Sequence, residues 1–344
     1  MTILDDLAQL EEGHPSREVI ERLLKLEGDE QQQLFHQARE VRYRAGVNRV
    51  TLRGVIEISN HCQKSCDYCA MRSPNGELER YRLTPGEILA IVAQIAENKI
   101  PIAFLQAGQD PACDEVVAEV IPEIKKRFGL HVLLCLGERP RSTYAAFAGL
   151  GADSYILKFE TSGSAHYRAI TRTSLAARLD CLRHLRELGY AIGTGNIVGL
   201  PGQDIDQLVD DVLLALKLEP DFVSASPFIA NQSTPFETSP QGSLATTLNI
   251  LAIYRIALRT PLIPNVSALE KIEVGGQRLG LEAGANVMTV NFTPRPYQEK
   301  FNIYSKQRFV VGLQHALSTI ESAGMERLRA SPTVQQAPCP ASIG

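Results

Sequence analysis

Residues 53–69 read RGVIEISNHCQKSCDYC, a short apolar run followed at once by three cysteines. The run Gly54–Ser59 predicts a buried β-strand, and Cys62, Cys66 and Cys69 then stand on the loop after it. Three thiolates can hold three irons of a four-iron cluster and leave the fourth iron open, whereas a closed zinc site or a simple electron-transfer cluster uses four protein ligands. The C-x3-C-x2-C spacing therefore favours a [4Fe–4S] cluster with an open iron, and a zinc site is the alternative.

The strand at Gly54 is the first of eight short apolar runs that alternate with longer segments of helical period. The predicted strands are Gly54–Ser59, Ile102–Ala107, His131–Leu136, Ser154–Phe159, Ile192–Val198, Phe222–Ser226, Leu262–Val266 and Asn286–Val290. The predicted helices between them are Pro85–Glu97, Cys113–Phe128, Arg141–Gly149, Leu175–Leu188, Asp204–Leu218, Leu244–Leu258 and Lys271–Glu282. Parallel strands joined by right-handed crossovers close most naturally into a barrel at this count. We therefore predict an α/β fold, a full (β/α)8 TIM-type barrel.

The barrel pattern occupies only part of the chain, and four regions are predicted. Residues 1–50 form an N-terminal helical cap, because leucines recur there at helical spacing among acids and bases. Residues 51–304 form the barrel, and residues 305–330 carry a C-terminal helix at about Gln307–Ala323. Residues 331–344, rich in proline and small residues, are expected to be a flexible tail.

Composition excludes several classes of partner. Of the 344 residues, 44% are hydrophobic and 22% charged, which is typical of a globular protein, and the formal net charge of −4 gives no basic field for a nucleic acid. No apolar stretch is long enough to span a membrane, and the acidic N-terminus has no apolar leader. We therefore expect a cytoplasmic protein with no nucleic-acid or membrane partner. In such a reducing compartment, clustered cysteines indicate metal binding rather than disulfides.

The cysteine loop resembles that of the radical S-adenosylmethionine (SAM) superfamily, with Tyr68 in the aromatic place before the third cysteine. Further segments resemble the group that includes the [FeFe]-hydrogenase maturase HydE, biotin synthase and the methylornithine synthase PylB. They are Arg53–Asn60, Glu79–Arg82, Leu105–Pro111, Leu136–Pro140, Phe159–Thr161, Gly199–Gln203, Ser226–Ile229, Gly284–Met288 and Asn291–Pro294. The resemblance implies one [4Fe–4S] cluster whose open iron binds SAM, and an electron donor such as flavodoxin or ferredoxin. It also implies reductive cleavage of SAM to a 5′-deoxyadenosyl radical that acts on a small substrate inside the barrel.

The resemblance also implies roles for residues near the cluster. Tyr68 would lie along the adenine of SAM, and Gly108 with Gln109 would meet the methionine amino group. HydE-like chains usually have glutamate where this chain has Gln109, so the acidic contribution is lost, although an amide oxygen still accepts a hydrogen bond.

Four further residues complete the implied SAM site. Glu160 would bind the ribose hydroxyls or the amino group, and Arg178 would pair with the carboxylate. Ile197 and Val198 would offer apolar surface to the adenine. The alternatives are that Glu160 and Arg178 are surface ion-pair residues and that the glycines after the fifth strand only form a turn.

The substrate side departs from the HydE pattern. Leu133 and Cys135 on the third strand, and Val266, Ser267 and Leu269 after the seventh, stand where HydE carries mostly hydroxyl side chains. Because Leu and Val remove hydrogen-bond donors, these five residues predict a substrate pocket with an apolar flank. A complete ligand set for a second cluster is not found in register, so one cluster is expected.

Three functions remain open from the sequence. The first is a HydE-like enzyme, either a maturase for the [FeFe]-hydrogenase cofactor or a paralogue with its own substrate. The second is sulfur insertion or carbon-skeleton rearrangement, as in biotin synthase or PylB. The third is a non-catalytic Fe–S carrier or scaffold, against which Glu160 and Arg178 argue because a carrier needs no SAM pocket.

Overall fold

Eight parallel strands form the centre of the computed structural model, which describes residues 2–305 and 307–329. The predicted tail at 331–344 lies outside the described residues. The strands are β1 (Thr51–Ser59), β2 (Ile102–Ala107), β3 (His131–Cys135), β4 (Ser154–Ile156), β5 (Ala191–Val198), β6 (Phe222–Pro227), β7 (Pro264–Asn265) and β8 (Val287–Asn291). They pair in the order β6-β5-β4-β3-β2-β1-β8-β7. Leu262, just before β7, bridges to Phe222 of β6, so the sheet is a nearly closed barrel, as the sequence predicted.

Helices follow the strands around the outside of this barrel. Before β1 come α1 (Ile3–Glu11), α2 (Arg17–Leu24) and α3 (Gly28–Arg44). The others are α4 (Pro85–Glu97), α5 (Asp114–Phe128), α6 (Arg141–Leu150), α7 (Ser164–Thr171), α8 (Leu175–Glu187), α9 (Ile205–Leu218), α10 (Leu244–Leu258), α11 (Ser267–Ile272), α12 (Gly276–Glu282), α13 (Arg295–Gln298) and α14 (Leu313–Ser322). No helix within residues 2–305 and 307–329 combines the length and the apolar character that a membrane crossing needs.

Local sequence explains most helix starts. Thr84 opens α4 with a capping box, in which its hydroxyl accepts from the Glu87 N–H and the Glu87 carboxylate accepts in return from the Thr84 N–H. Asp204 caps α9 in a similar way, with its carboxylate accepting from the Gln207 N–H at 2.9 Å. These caps lie just before apolar periodic segments, which is why the bounds of α4 match the sequence prediction and α9 begins one residue after the predicted start.

The predicted elements differ from the structure at several places, and the first two have a clear local cause. The predicted helix Lys271–Glu282 is two helices, because Gly275 adopts a left-handed φ of 87° between α11 and α12. The seventh strand shrinks to Pro264–Asn265, because proline has no N–H to donate to the ladder. The helices α7 and α13 were not predicted, and the C-terminal helix begins only after Gly312.

The N-terminal helices pack mainly on α10, whose residues are buried almost all round. Two buried arginines join this layer to the barrel. Arg42 of α3 donates to the carbonyl of Ala285 at 2.8 Å, and Arg255 of α10 donates to that of Gly284 at 3.0 Å. Because a buried guanidinium needs acceptors, these contacts fix α3 and α10 against the segment that enters β8.

The interior of the barrel has an apolar floor with open space above it. Val55, Ile102, Phe104 and Leu133 pack together there from β1, β2 and β3. On β5 the interior position Gly195 has φ 152°, and a Cβ there would lie 1.9 Å from the carbonyl oxygen of Ser224. Glycine therefore lets β5 and β6 approach closely, and the space above the floor stays free of a side chain from this position.

Candidate functional site

Two connected cavities lie inside the barrel toward the C-terminal ends of the strands, where TIM-type barrels carry their active sites. The upper cavity, of about 240 Å³, contacts the cysteine loop, and the lower cavity, of about 150 Å³, lies deeper. Both are lined by Gln106, Cys135, Ile156, Lys158, Ser226, Ile303 and Tyr304. A molecule in the lower cavity would therefore contact the same side chains as a molecule in the upper one.

The three cysteines of the loop, Cys62, Cys66 and Cys69, all line the upper cavity. The Gln109 N–H lies 3.3 Å from the Cys62 sulfur and donates to it. Gly108 is not itself among the residues lining the cavity. Gly108 lets the chain after β2 approach the cysteine loop closely, because a Cβ at this position would lie 2.2 Å from the carbonyl oxygen of His61.

The donor set fits an iron–sulfur cluster better than a single metal ion. Within the described parts of the chain, no three His, Cys, Asp or Glu side chains are arranged to hold one metal ion. A closed zinc site needs such convergence, whereas each cysteine of a four-iron cluster binds its own iron. Burial raises the pKa of the Cys66 thiol to about 11 and raises that of Cys69 as well, and a bound metal, which requires thiolates, would oppose this effect.

Beside the cysteines, one carboxylate joins two cations. Glu138, in the loop after β3, accepts from Lys64 of the cysteine loop at 2.6 Å and pairs with Arg178 of α8 at 2.9 Å. Arg178 also donates to the Tyr167 hydroxyl at 2.9 Å. Burial acts to lower the pKa of Arg178, but Tyr167 and Glu138 outweigh it and raise the pKa, so the guanidinium stays charged.

The sequence predicted only part of the charged group that Lys64, Glu138 and Arg178 form beside the cysteines. Arg178 lines the upper cavity as expected, and two cations against one carboxylate leave a net positive charge there. Gln109 lines the cavity too, but its side-chain oxygen accepts from the Glu138 N–H at 3.0 Å. The partner Glu138 was missed, although it stands in the segment Leu136–Pro140 that carries the resemblance.

Glu160 follows β4 and faces the upper cavity in a strained backbone conformation. Its φ is 64°, which is unfavourable for a residue with a Cβ. Two hydrogen bonds to β5 hold it, from its N–H to Gly195 at 3.0 Å and from the Ile197 N–H to its carbonyl at 2.8 Å. Its carboxylate lies 3.5 Å from the ammonium of Lys158, and both side chains line the cavity with little exposure, so this ion pair lies inside the barrel and not on the outer surface.

The opposite wall of the upper cavity is apolar. Tyr68 packs with Ile170, Ile197, Leu200 and Phe228. Val198 faces away, because neighbouring residues of a strand point to opposite sides, and it lies in the main core outside the barrel. The structure thus corrects the prediction for Val198, whereas Tyr68 and Ile197 come together on one flat apolar wall.

The lower cavity carries charged side chains beside its apolar lining. Arg308 makes a bidentate ion pair with Glu57 of β1, with one contact at 2.6 Å, and Lys158 lies above them. Arg53 donates to the Thr289 hydroxyl at 2.6 Å and stacks 4.8 Å from the Phe104 ring centre. Its Nη1 is buried and without a hydrogen-bond partner among the described residues.

The predicted substrate residues divide between this cavity and its surroundings. Val266 and Ser267 line the lower cavity, and Cys135 lines both cavities. Leu133 belongs to the apolar floor beneath them. The structure corrects Leu269, which lies on α11 in the main core and lines neither cavity, because the helix begins at Ser267 and turns this side chain away. Val266 thus gives the lower cavity part of its apolar lining, and Leu133 lies in the floor beneath it.

A parallel eight-stranded barrel with three cysteines at the C-terminal end of its first strand defines an iron–sulfur enzyme of the TIM-barrel type. The comparisons with known proteins give the family. The description "Radical SAM superfamily" belongs to the family model that matches residues 56–215. The chain belongs to the radical SAM superfamily, and it is a radical SAM enzyme.

Its relatives cover most of its length. The [FeFe] hydrogenase maturase subunit HydE of Thermotoga maritima is 39% identical over 307 residues, which are 88% of this chain and 88% of that protein. A 3-methylornithine synthase of Methanosarcina acetivorans is 30% identical over 272 residues, 78% of this chain and 77% of that one. The crystal structure of methylornithine synthase (PylB) superposes with a TM-score of 0.82 at 25% identity, over 94% of this chain and 97% of that chain.

Proposed function

We propose that this chain is a HydE-like enzyme that binds one [4Fe–4S] cluster and SAM in the upper cavity and acts on a small substrate in the lower cavity. Cys62, Cys66 and Cys69 would ligate the cluster. When bound, the cluster and SAM supply reductive cleavage of SAM and a 5′-deoxyadenosyl radical. The observation that carries the proposal is that all three cysteines, Glu160 and Arg178 line a single cavity.

The remaining residues of the upper cavity would bind and orient SAM. Arg178, held by Glu138, would pair with the methionine carboxylate of SAM. The net positive charge of Lys64, Arg178 and Glu138 would attract this negative group. Glu160 would accept from the ribose hydroxyls, and Tyr68 with Ile197 would cover the adenine. Because these contacts come from four different segments of the chain, SAM would bind only to the assembled barrel.

The lower cavity supports a substrate that carries a negative group. Arg53, Lys158 and Arg308 line it against the single carboxylate Glu57. Arg53 also has an unpaired nitrogen, which favours an anionic ligand because a buried cation without acceptors is costly. These cations stand beside apolar lining residues such as Val266, so the cavity would fit a small molecule with an anionic group and an apolar flank.

Maturation of the [FeFe]-hydrogenase cofactor is the reaction that we propose, because HydE is 39% identical over 88% of the chain. A carbon-skeleton rearrangement is the second candidate, favoured by the 0.82 TM-score against PylB. A non-catalytic Fe–S carrier would not need the organised wall formed by Glu160, Arg178 and Glu138. A flavodoxin or ferredoxin would supply the electron, and we expect no nucleic-acid partner.

The test is anaerobic reconstitution with iron and sulfide, followed by a SAM cleavage assay. We expect about four irons and four sulfides per chain. We also expect 5′-deoxyadenosine after addition of dithionite, and loss of both in Cys66→Ala. A strain that lacks its own HydE then distinguishes the candidates, since restored hydrogenase activity supports maturation. If reconstituted protein releases no 5′-deoxyadenosine, the enzyme proposal fails.

A further inference from the structure

Behind the upper cavity, the buried carboxylate of Asp211 on α9 contacts the loop that follows Glu160. One of its oxygens accepts from the Ser162 N–H and from the Ser162 hydroxyl, both at 2.6 Å. The other accepts from the side-chain amide of Gln203 at 2.9 Å. Asp211 is fully buried and does not line the upper cavity, so these contacts serve the loops rather than a ligand.

Gln203 continues this chain of hydrogen bonds to the loop after β5. Its side-chain oxygen accepts from the N–H groups of Gly199 at 2.6 Å and Leu200 at 3.2 Å. Its side-chain nitrogen also donates to the carbonyl of Ile197 at 3.0 Å. Since a glutamine amide has one accepting and one donating end, its orientation is fixed by these backbone groups and only the donating end can meet Asp211.

The two loops joined in this way are those that carry the polar and the apolar sides of the SAM site. Glu160 stands two residues before Ser162 in its left-handed conformation, and Ile197 stands two residues before Gly199. A strained residue persists only where its surroundings fix it on both sides. Gly195 and Ile197 fix Glu160 from β5, and Asp211 fixes the chain that follows it.

We propose that Asp211 and Gln203 are positioning residues, which hold the Glu160 loop and the loop after Ile197 at a fixed separation so that the SAM site is preformed. This inference rests on the proposed function of the upper cavity. It assigns neither residue to the chemistry. Both act through the loops, so their loss should weaken SAM binding and leave assembly of the cluster on Cys62, Cys66 and Cys69 unchanged.

The test uses Asp211→Asn in the reconstituted protein. An asparagine keeps an acceptor for only one side, because its N–H₂ group must face either the donating end of Gln203 or the Ser162 N–H, so one of the two contacts that link the loops is lost. We expect the dissociation constant for SAM to rise about ten-fold, which corresponds to about 1.4 kcal/mol, with unchanged iron content. In SAM-free protein we expect faster hydrogen exchange at the amides of Ser162, Gly199 and Leu200. The control is Asp210→Asn, on the same helix but exposed and paired with Arg17.

A double exchange separates positioning from simple damage. In Asp211→Asn/Gln203→Glu the donor and acceptor at the link are reversed, and the carboxylate that replaces the Gln203 amide still accepts from Gly199 and Leu200, but the bond to the Ile197 carbonyl is lost. We therefore expect a partial recovery, with SAM affinity about three-fold higher than in Asp211→Asn. If Asp211→Asn does not fold, Gln203→Met breaks the link from the other side and must show the same two effects. Ser162→Ala removes only the hydroxyl contact and should show a smaller effect, because the Ser162 N–H still donates to Asp211.

Two results would overturn the inference. One is wild-type SAM affinity in Asp211→Asn together with unchanged amide exchange, and the other is an equal loss in the double variant and the single one. Failure of the proposed function is distinguishable, because a wild-type protein that binds no SAM would refute that proposal. The exchange measurement needs no SAM and would still decide whether Asp211 and Gln203 hold the two loops together.

Discussion

Replacing Gly108 by alanine should prevent the cysteine loop from reaching its position. The new Cβ would lie 2.2 Å from the carbonyl oxygen of His61 and 2.9 Å from the Cβ of Cys62. A carbon and a non-bonded oxygen need more than about 3 Å, so the loop or the end of β2 must shift by about 1 Å. Both are tied down, because the Gln63 N–H donates to Gln109 at 3.0 Å and the Gly108 N–H donates to Ser59 at 3.1 Å.

The shift should cost about 1–3 kcal/mol of unfolding free energy, as for other overpacked sites. It should also lower cluster content well below four irons per chain, because a displacement of this size disrupts three ligands that must fit one cluster. Iron and sulfide analysis after anaerobic reconstitution measures the second effect, and urea unfolding measures the first. The control is Gly76→Ala, since a Cβ at Gly76 meets nothing within 4 Å. Full cluster content and wild-type stability in Gly108→Ala would refute the reasoning.

Three further changes give distinct expected results. Arg178→Ala should weaken SAM binding at least about ten-fold with the cluster intact, and unchanged affinity by calorimetry would remove Arg178 from the site. Arg308→Met should lower the unfolding free energy by about 3–5 kcal/mol, because it leaves the buried carboxylate of Glu57 unpaired. The double variant Glu57→Leu/Arg308→Met should lower the unfolding free energy by less, because it removes both charges. Urea unfolding measures both variants, and an equal loss of unfolding free energy in the two would contradict this cause. Burial acts to raise the pKa of Asp110, but Arg82 and Ser59 outweigh it and lower the pKa to about 2. The ionised Asp110 therefore contributes to the free energy of unfolding above about pH 4, and this contribution is lost as the pH falls toward 2. Asp110→Asn should therefore cost about 1–2 kcal/mol at pH 7 and progressively less in acid, and a cost independent of pH would contradict the assignment.

The barrel and the cysteine loop could be predicted because their signals are local. Fewer than about twenty consecutive residues are enough to indicate a strand, a capped helix or a C-x3-C-x2-C loop. The errors were local too, and came from backbone chemistry that overrides apolar periodicity, as at Gly275 and Pro264. The position of Val198 could not be predicted either. The sequence does not say which side of the barrel wall a strand residue faces until the register of the whole strand is known.

The charges inside the barrel could not be predicted in the same way. Glu57 and Arg308 are separated by 251 positions, and Lys64 and Glu138 by 74. Nothing in the sequence near one partner indicates the other, so the predicted pocket contained Leu133 and Val266 but none of these charges. Lys158 was within reach of the sequence argument, because it lies on the predicted fourth strand Ser154–Phe159 and alternates with Leu157, so that one of the two had to face the interior.

Lys158 connects the two halves of the site. It lines both cavities, with its ammonium 3.5 Å from the Glu160 carboxylate and 3.3 Å from the Ser226 hydroxyl. The Lys158 ammonium pairs with Glu160 in the upper cavity and also faces the lower one. A molecule bound in either cavity would therefore change its contacts. SAM hydroxyls that engage Glu160 would free the ammonium to turn toward an anionic substrate below. Binding in the upper cavity would thereby strengthen binding in the lower one, and by linkage the reverse holds equally.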